Sequence, residues 1–546
     1  MTGSTDRGGA FTEKEETTMQ SRWIAGCVLA LGLTGNALAA TDYPDGYTKC
    51  AKIGAACTMS GTRSVALGKS GSFVYATLTG NFTCAKSLFS GGSAMPDSAW
   101  CSVGPAAGTS SSASSSAASS SSSSSSASSA SQSSSSSQAT SSSNPYVTGC
   151  GTETSNLVAS KVYYVTPTAG SGGAGSSFSA LMSLTEALTK VSAGQMVLLQ
   201  PGTYTVPYTA GAKNTITLSK SGSSGARIYL VAANCGKAVV DFSFPENTWV
   251  QDSYGFYLTG SYWYFKGIEI TRAGYQGVYV TGAYNTFENC AFHNNRNSGL
   301  EINKGGSYTK VINSDAYRNY DPKKLGSMAD GFASKQTQGA GNFFHGCRAW
   351  ENSDDGFDTY DSPEAVVIEN SWTFRNGVDV WGYGGFAGNG NGFKLGGNAA
   401  VQRNRIVNSV SFGHPGKGFD QNNNAGGVTL FNNTSYQNGI NYGFCNTVNS
   451  GETHTFRNKV SLSGKNADSI CNADSKNNTW NSLAASSADF VSLDTNLATR
   501  AREADGSLPT TNLFRLSAGS KLINAGVNVG LPYKGSAPDL GAFERE

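Results

Sequence analysis

The residue types best suited to chemistry sit in four short segments: 329–332 (ADGF), 353–358 (SDDGFD), 390–397 (GNGFKLGG) and 416–423 (GKGFDQNN). Each contains glycine followed by phenylalanine. The pattern of glycine then a large apolar residue recurs at Gly299-Leu300, Gly331-Phe332, Gly356-Phe357, Gly392-Phe393, Gly418-Phe419 and Gly443-Phe444. Side chains alternate along an extended strand, so an inward apolar residue sends the next one out to solvent. That outward position reads Glu301, Ala333, Asp358, Lys394, Asp420, Cys445, and the position before glycine reads Ser298, Asp330, Asp355, Asn391, Lys417, Tyr442. On adjacent strands ~4.8 Å apart, these columns gather Asp330, Asp354, Asp355 and Asp358 on successive rungs, with Lys394 on the next. Four carboxylates this close need a counter-charge. That many hard oxygen donors suit calcium, completed by backbone carbonyls or water. An isolated Asp-Asp-Gly is most often an exposed turn, but four aligned acids beside an aligned lysine outweigh that reading. The loop spacing and terminal residue of an EF-hand are absent.

Stacking these segments requires a repeat, and one is present. A seven-residue frame recurs at 289–295 (NCAFHNN), 313–319 (NSDAYRN), 346–352 (GCRAWEN), 370–376 (NSWTFRN), 408–414 (NSVSFGH), 432–438 (NNTSYQN) and 458–464 (NKVSLSG). Its first position is Asn in six of the seven copies, its fifth is aromatic in the first six, and the starts are 24, 33, 24, 38, 24 and 26 residues apart. A 24-residue coil of short β-runs without helical periodicity predicts a parallel β-helix, with longer loops on the 33- and 38-residue coils. The recurring first Asn is expected to stack on itself as an amide ladder. Residues 178–192 (FSALMSLTEALTKVS) form the one good amphipathic helix, expected to cap the open N-terminal end of the solenoid.

The rest of the chain sets the context. Charged residues are 14% and the formal net charge is +2, which excludes a bulk electrostatic binder of nucleic acid. Residues 1–40 read as an export signal: Arg22, an apolar run at 23–33, then small residues before Thr41, with Met19 an alternative start. No other segment is apolar enough to span a membrane. Cys27 leaves with the signal, and the ten remaining cysteines suit an oxidising compartment. Cys50, Cys57, Cys84 and Cys101 are expected to form two disulfides of undetermined pairing, while some of the scattered six from Cys150 to Cys471 are expected to be buried thiols. Residues 104–145 are almost pure serine with Ala, Gln and Gly, a flexible tether. They separate a small disulfide-containing β-module, 41–103, from the large domain, 146–546. The module carries Tyr43, Tyr47, Phe82 and Trp100, and either binds wall carbohydrate or is an inert cap.

The four segments, in this order, also resemble the family 9 polysaccharide lyases, pectate lyases with a right-handed parallel β-helix. The similarity runs from YYVTP near Tyr163 to APDLGAFE near the C-terminus and leaves out the tether and module. It implies calcium ligands at Asp330, Asp354, Asp355 and Asp358, a Brønsted base at Lys394, and polygalacturonate as substrate. The chemistry follows: the proton on carbon 5 of a uronate is weakly acidic, and calcium on the neighbouring carboxylate would stabilise the charge left when it departs. Lys394 must be neutral to accept that proton. A nearby cation and desolvation favour this, and Asp358 and Asp420 oppose it. Lys417 and Asp420, one rung on, are expected to contact substrate. Lys335 either lines the groove or is an ordinary surface charge. The histidines at 293, 345, 414 and 454 share no spacing and read as structural. A secreted monomer is expected. The alternatives are a glycoside hydrolase, which needs two carboxylates across the bond, an epimerase on the same fold, and a non-catalytic calcium-binding adhesin.

Overall fold

The computed structural model describes Tyr43, residues 47–106 except 70, 71 and 90–94, and residues 157–545 except 169, 171, 181, 234, 235 and 482. The expected export signal, nearly all of the tether, Cys150 and Cys235 lie outside the described residues. The chain divides into two compact units.

In the first unit, antiparallel strands run in the order Thr48–Lys52, Trp100–Ala106, Thr62–Lys69, Ser72–Thr79. One face packs Val65, Leu67 and Cys101 with Val74 and Val103. The disulfides are Cys50–Cys57 and Cys84–Cys101, a pairing that spacing alone left open. The strand ending at Ala106 corrects the start assigned to the tether, because its ladder with Thr62–Lys69 continues past 103.

The second unit is the expected parallel β-helix. Short strands pair in parallel with the coil before and after, building sheets of ten, twelve and ten strands among the described residues. The expected coil lengths hold, since His293, Tyr317, Trp350, Phe374, Phe412, Tyr436 and Leu462 are successive register partners. The first five of these rings stack along the outside of their sheet, with centroids 4.4–5.6 Å apart. The C-terminal segment closes over this column, and Phe514 meets Phe412 and Tyr436 edge-on at 5.6 and 5.4 Å. Inside the coil, Phe332, Phe357, Phe393, Phe419 and Tyr442 stack with centroids 4.8–5.2 Å apart. Among the described residues no helix is long and apolar enough to cross a membrane.

Three expectations change. The amide ladder inside the solenoid belongs chiefly to the seventh frame position: Asn295, Asn319, Asn352 and Asn376 hand amide bonds along the axis at 2.8–3.0 Å. His414 continues the line by accepting from Asn376 N and donating its own N–H to Asn438. The first position recurs for a different reason: it holds left-handed φ of 48–64° at all seven copies, which Asn and Gly tolerate best, and so Gly346 substitutes. Only Asn408, Asn432 and Asn458 bond side chain to side chain there, among the bonds described. The helix is shorter than expected, Leu184–Lys190, capped by Ser183 accepting from Glu186 N. It packs on the strands Lys161–Val165 and Gln195–Leu199 at the sheet's end, burying Leu184, Ala187 and Leu188 in the interior core. Finally, Phe419 pairs with Tyr442 and Asp420 with Gly443, so Gly443-Phe444 is two residues out of the expected register. Tyr442 can take the inward place because its hydroxyl donates within the core, being 3.1 Å from both Asn433 O and Val460 O.

Of the scattered cysteines, Cys445 and Cys471 form a disulfide, and Cys290 and Cys347 are buried thiols. Lys459 is fully buried with no hydrogen bond to its Nζ, which lies 5.1–5.7 Å from the ring centres of Phe419, Tyr442 and Phe456. Burial pushes its pKa well below the ordinary lysine value. The unfolded chain therefore binds a proton here that the folded chain does not, and stability rises with pH up to the unfolded pKa of ~10.4. Lys459→Met is expected to raise the unfolding free energy at neutral pH by ~1–4 kcal/mol and to flatten its rise toward alkaline pH. Denaturant titrations at neutral and alkaline pH check this, and a destabilised variant would contradict it.

Candidate active site

The site lies on the outer face of the sheet made of Leu300–Ile302, Phe332–Ser334, Phe357–Asp358, Phe393–Lys394 and Lys417–Asp420. Glycine before each inward apolar residue is a steric requirement, since a Cβ on Gly356 would collide with Thr373 Oγ1 of the neighbouring sheet. The inward phenylalanines fix the register, and the outward row runs Glu301, Ala333, Asp358, Lys394, Asp420 as the sequence implied. The coils of 33 and 38 residues carry their extra length at 320–329 and 377–390. These loops meet beside the site through Tyr320, whose ring lies 4.9 Å from Trp381 and 5.2 Å from Tyr383.

Asp330, Asp354 and Asp355 each bring one carboxylate oxygen within 4.8 Å of the others, and all are buried. Backbone and amide donors fix their orientation. Asp354 accepts from Asn389 N at 2.7 Å and Met328 N at 2.8 Å. Asp355 Oδ1 accepts from Asn391 N and Nδ2 at 2.8 and 2.9 Å. Asp330 Oδ2 accepts from Ser298 Oγ at 3.1 Å and from Lys335 Nζ at 3.0 Å. Asp355 Oδ2 is buried and accepts no hydrogen bond, though Lys394 Nζ lies 3.3 Å away. Three hard oxygen donors and an oxygen lacking a hydrogen-bond donor fit calcium.

The fourth acid points elsewhere. Asp358 Oδ2 lies 3.2 Å from Lys335 Nζ and 3.8 Å from Lys394 Nζ, and its Oδ1 accepts from Tyr360 N. Asp358 thus sits between the two lysines and outside the converging trio. Lys335, left between groove and surface by the sequence, is buried at the centre of the site. Its signal was present: it follows Ala333 by two residues and so shares the outward face. Lys417 Nζ pairs with Asp420 Oδ1 at 2.7 Å, one rung beyond Lys394.

Electrostatics follow from burial and crowding. Burial, reinforced by the acids near each, raises Asp330 and Asp355 to about 7 and Asp354 to about 6. Burial opposes ionisation of Asp358 too, but Lys394 and Lys335 outweigh it and hold that carboxyl below its ordinary value. Burial likewise disfavours the ammonium of Lys394, yet Asp358, Asp355, Asp354 and Asp330 hold its proton and raise its pKa well above the ordinary one. Without a further cation, then, the acids resist full ionisation and the lysine resists losing its proton. Burial pushes His414 in the ladder and His454 in the core down to about 4.

Most of the chain is similar to known proteins. Residues 163–484 match the Pel9A-like right-handed β-helix region. Over 394 residues the chain is 66% identical to pectate lyase L of Dickeya dadantii (strain 3937), covering 72% of this chain and 92% of that protein. The chain belongs to the Pel9A-like family of β-helical polysaccharide lyases. The crystal structure of pectate lyase Pel9A superposes on this lyase with a TM-score of 0.70 at 66% identity, covering 71% of this chain and 97% of that one. A rhamnogalacturonan lyase matches the lyase with a TM-score of 0.58 at 29% identity, over 66% and 97% of the two chains.

Proposed function

We propose that this lyase cleaves polygalacturonate by calcium-dependent β-elimination, with Lys394 as the base. The observation that carries this reading is the trio Asp330, Asp354 and Asp355, with Lys394 Nζ 3.3 Å from the last of them. These three aspartates would hold calcium, with Asp358 the fourth acid beside it. When bound, calcium supplies positive charge next to the carboxylate of the sugar that loses its proton. Lys394 takes the proton from carbon 5, a carbon 4–carbon 5 double bond forms, and the carbon 4–oxygen bond breaks toward the leaving chain. For that step the lysine must be neutral. The acids hold its proton, a cation among Asp330, Asp354 and Asp355 would offset their charge, and alkaline pH favours the neutral lysine. Asp358 and Lys335 fix the lysine's electrostatic setting, while Lys417 and Asp420 lie where the next sugar would pass.

The hydrolase and epimerase readings lack support from the family. The adhesin reading predicts metal binding without product. Export by the N-terminal segment, action as a monomer and wall binding by the module remain part of the proposal, supported by the disulfides and the composition of the tether. Ultraviolet absorbance of unsaturated product on polygalacturonate, run in parallel on rhamnogalacturonan, tests the substrate. Product from rhamnogalacturonan alone would replace the substrate and keep the reaction class.

A further inference from the structure

The outward row of the site sheet continues two coils further toward the N-terminus than the glycine–phenylalanine pattern suggested. Glu301 pairs with Tyr279, and Tyr279 with Tyr257. The preceding column continues through Gln276 and Tyr254, since Gly277-Val278-Tyr279 and Gly255-Phe256-Tyr257 are the same motif. From Asp358 the row passes Ala333 and Glu301 and reaches Tyr279 on the third rung and Tyr257 on the fourth.

Five aromatic side chains gather there. Tyr254 stacks on Tyr279 with centroids 4.7 Å apart and planes 13° from parallel, and both are buried. Tyr257 lies 5.9 Å from Tyr279, and Trp249 meets Tyr275 edge-on at 5.5 Å. Tyr257, Tyr275 and Trp249 remain partly exposed. The exposed Lys304 places its ammonium 5.7 Å from the centre of the Tyr279 ring. Two polar atoms at this cluster are buried without a hydrogen-bond partner, the acceptor Gln276 Oε1 and the donor Trp249 Nε1. Buried polar atoms are rarely left unpaired, and a polar ligand beside these rings would pair them. Glu301, between the cluster and the acids, is held by Gln276 Nε2 at 2.8 Å and Asn303 Nδ2 at 2.9 Å, so amide donors offset its charge toward an anionic chain.

We infer that Trp249, Tyr257, Tyr275 and Lys304 form a distal subsite for a polyuronide chain, holding sugar residues three and four positions from the bond that breaks. The inference rests on the proposed polygalacturonate reading. Rungs ~4.8 Å apart are comparable to the length of one sugar in an extended chain, so successive sugars would lie over successive rungs. The rings would take the apolar faces of the sugars, and Lys304 a carboxylate.

The test uses the full chain carrying Tyr257→Ala and Tyr275→Ala together, assayed with calcium on trigalacturonate and on polygalacturonate. The trimer is too short to reach the third rung from the cleaved bond. The expected result is a kcat/KM on polygalacturonate lower by about tenfold or more, carried by KM, with the trimer unaffected. The Tyr257→Phe, Tyr275→Phe pair, which keeps the rings, is expected to restore the long-chain value. Unchanged long-chain KM in the alanine pair overturns the subsite. So does an equal loss on both substrates, which marks a structural role. Failure of the unaltered protein to cleave polygalacturonate overturns the proposed function as well, and is distinguished by needing no variant.

Discussion

Lys394→Ala is expected to lower the turnover of polygalacturonate by ~10²–10⁴-fold, the usual cost of removing a general base, with fold and calcium affinity nearly intact. The side chain lies on the outer face of its strand while its neighbour Phe393 fills the core, so truncation opens no interior cavity. Lys417 is poorly placed to replace it, because its ammonium is paired with Asp420 at 2.7 Å. Lys335 is the serious rival, buried and within 3.2 Å of the same Asp358. Its contacts with both Asp330 and Asp358 suit a counter-charge, so Lys335→Ala is expected to weaken activity less and to retain a measurable rate. Single-turnover rates for the two variants separate the roles. A Lys394→Ala enzyme near normal speed, beside a Lys335→Ala enzyme without product, would move the base to Lys335.

The second large effect concerns the acids, and here the geometry divides four residues that the sequence treated alike. Asp355→Asn removes charge from an oxygen set that converges within 4.8 Å. The calcium concentration for half-maximal rate is expected to rise at least tenfold, with excess calcium restoring much of the activity. Asp358→Asn should act differently, because Asp358 faces the lysines. Its charge heads those that hold the proton on Lys394. Removing that charge lowers the lysine's pKa, so the acid limb of the rate–pH profile is expected to move to lower pH while the calcium requirement changes less. Calcium titrations and pH profiles on both variants are the check. Equal calcium defects would make Asp358 a ligand on the same footing as the trio, and an unmoved acid limb would remove its influence on the base.

The register was legible in the sequence because it is written in a two-residue alternation that the inward phenylalanines enforce. Phe332, Phe357, Phe393 and Phe419 stack inside, and Asp358, Lys394 and Asp420 follow on the outside. Where that alternation weakened, the reading faltered. Tyr442 replaces phenylalanine in the core by satisfying its hydroxyl internally, and this displaced the last rung by two residues. Val278 and Phe256 continue the column, but at Gly277 and Gly255 the residues on either side are Tyr and Gln with no acids to draw attention. The frame's first Asn was conspicuous for its left-handed turn, whereas the buried amide ladder uses the seventh, where His414 interrupts the pattern. Burial itself was not legible: nothing about Lys335 in one dimension shows that loops 320–329 and 377–390 stand beside its groove. Nor does spacing reveal which three of the four aspartates converge and which one faces the lysines.

The central claim, elimination on polygalacturonate that depends on a cation held by Asp330, Asp354 and Asp355, is tested most directly by one assay. Unsaturated product is followed by ultraviolet absorbance with the unaltered protein, first as prepared, then after exhaustive chelation, then after calcium is returned. The expected result is product formation that chelation stops and calcium restores. Full activity after chelation, or metal binding with no unsaturated product at any calcium concentration, would contradict it.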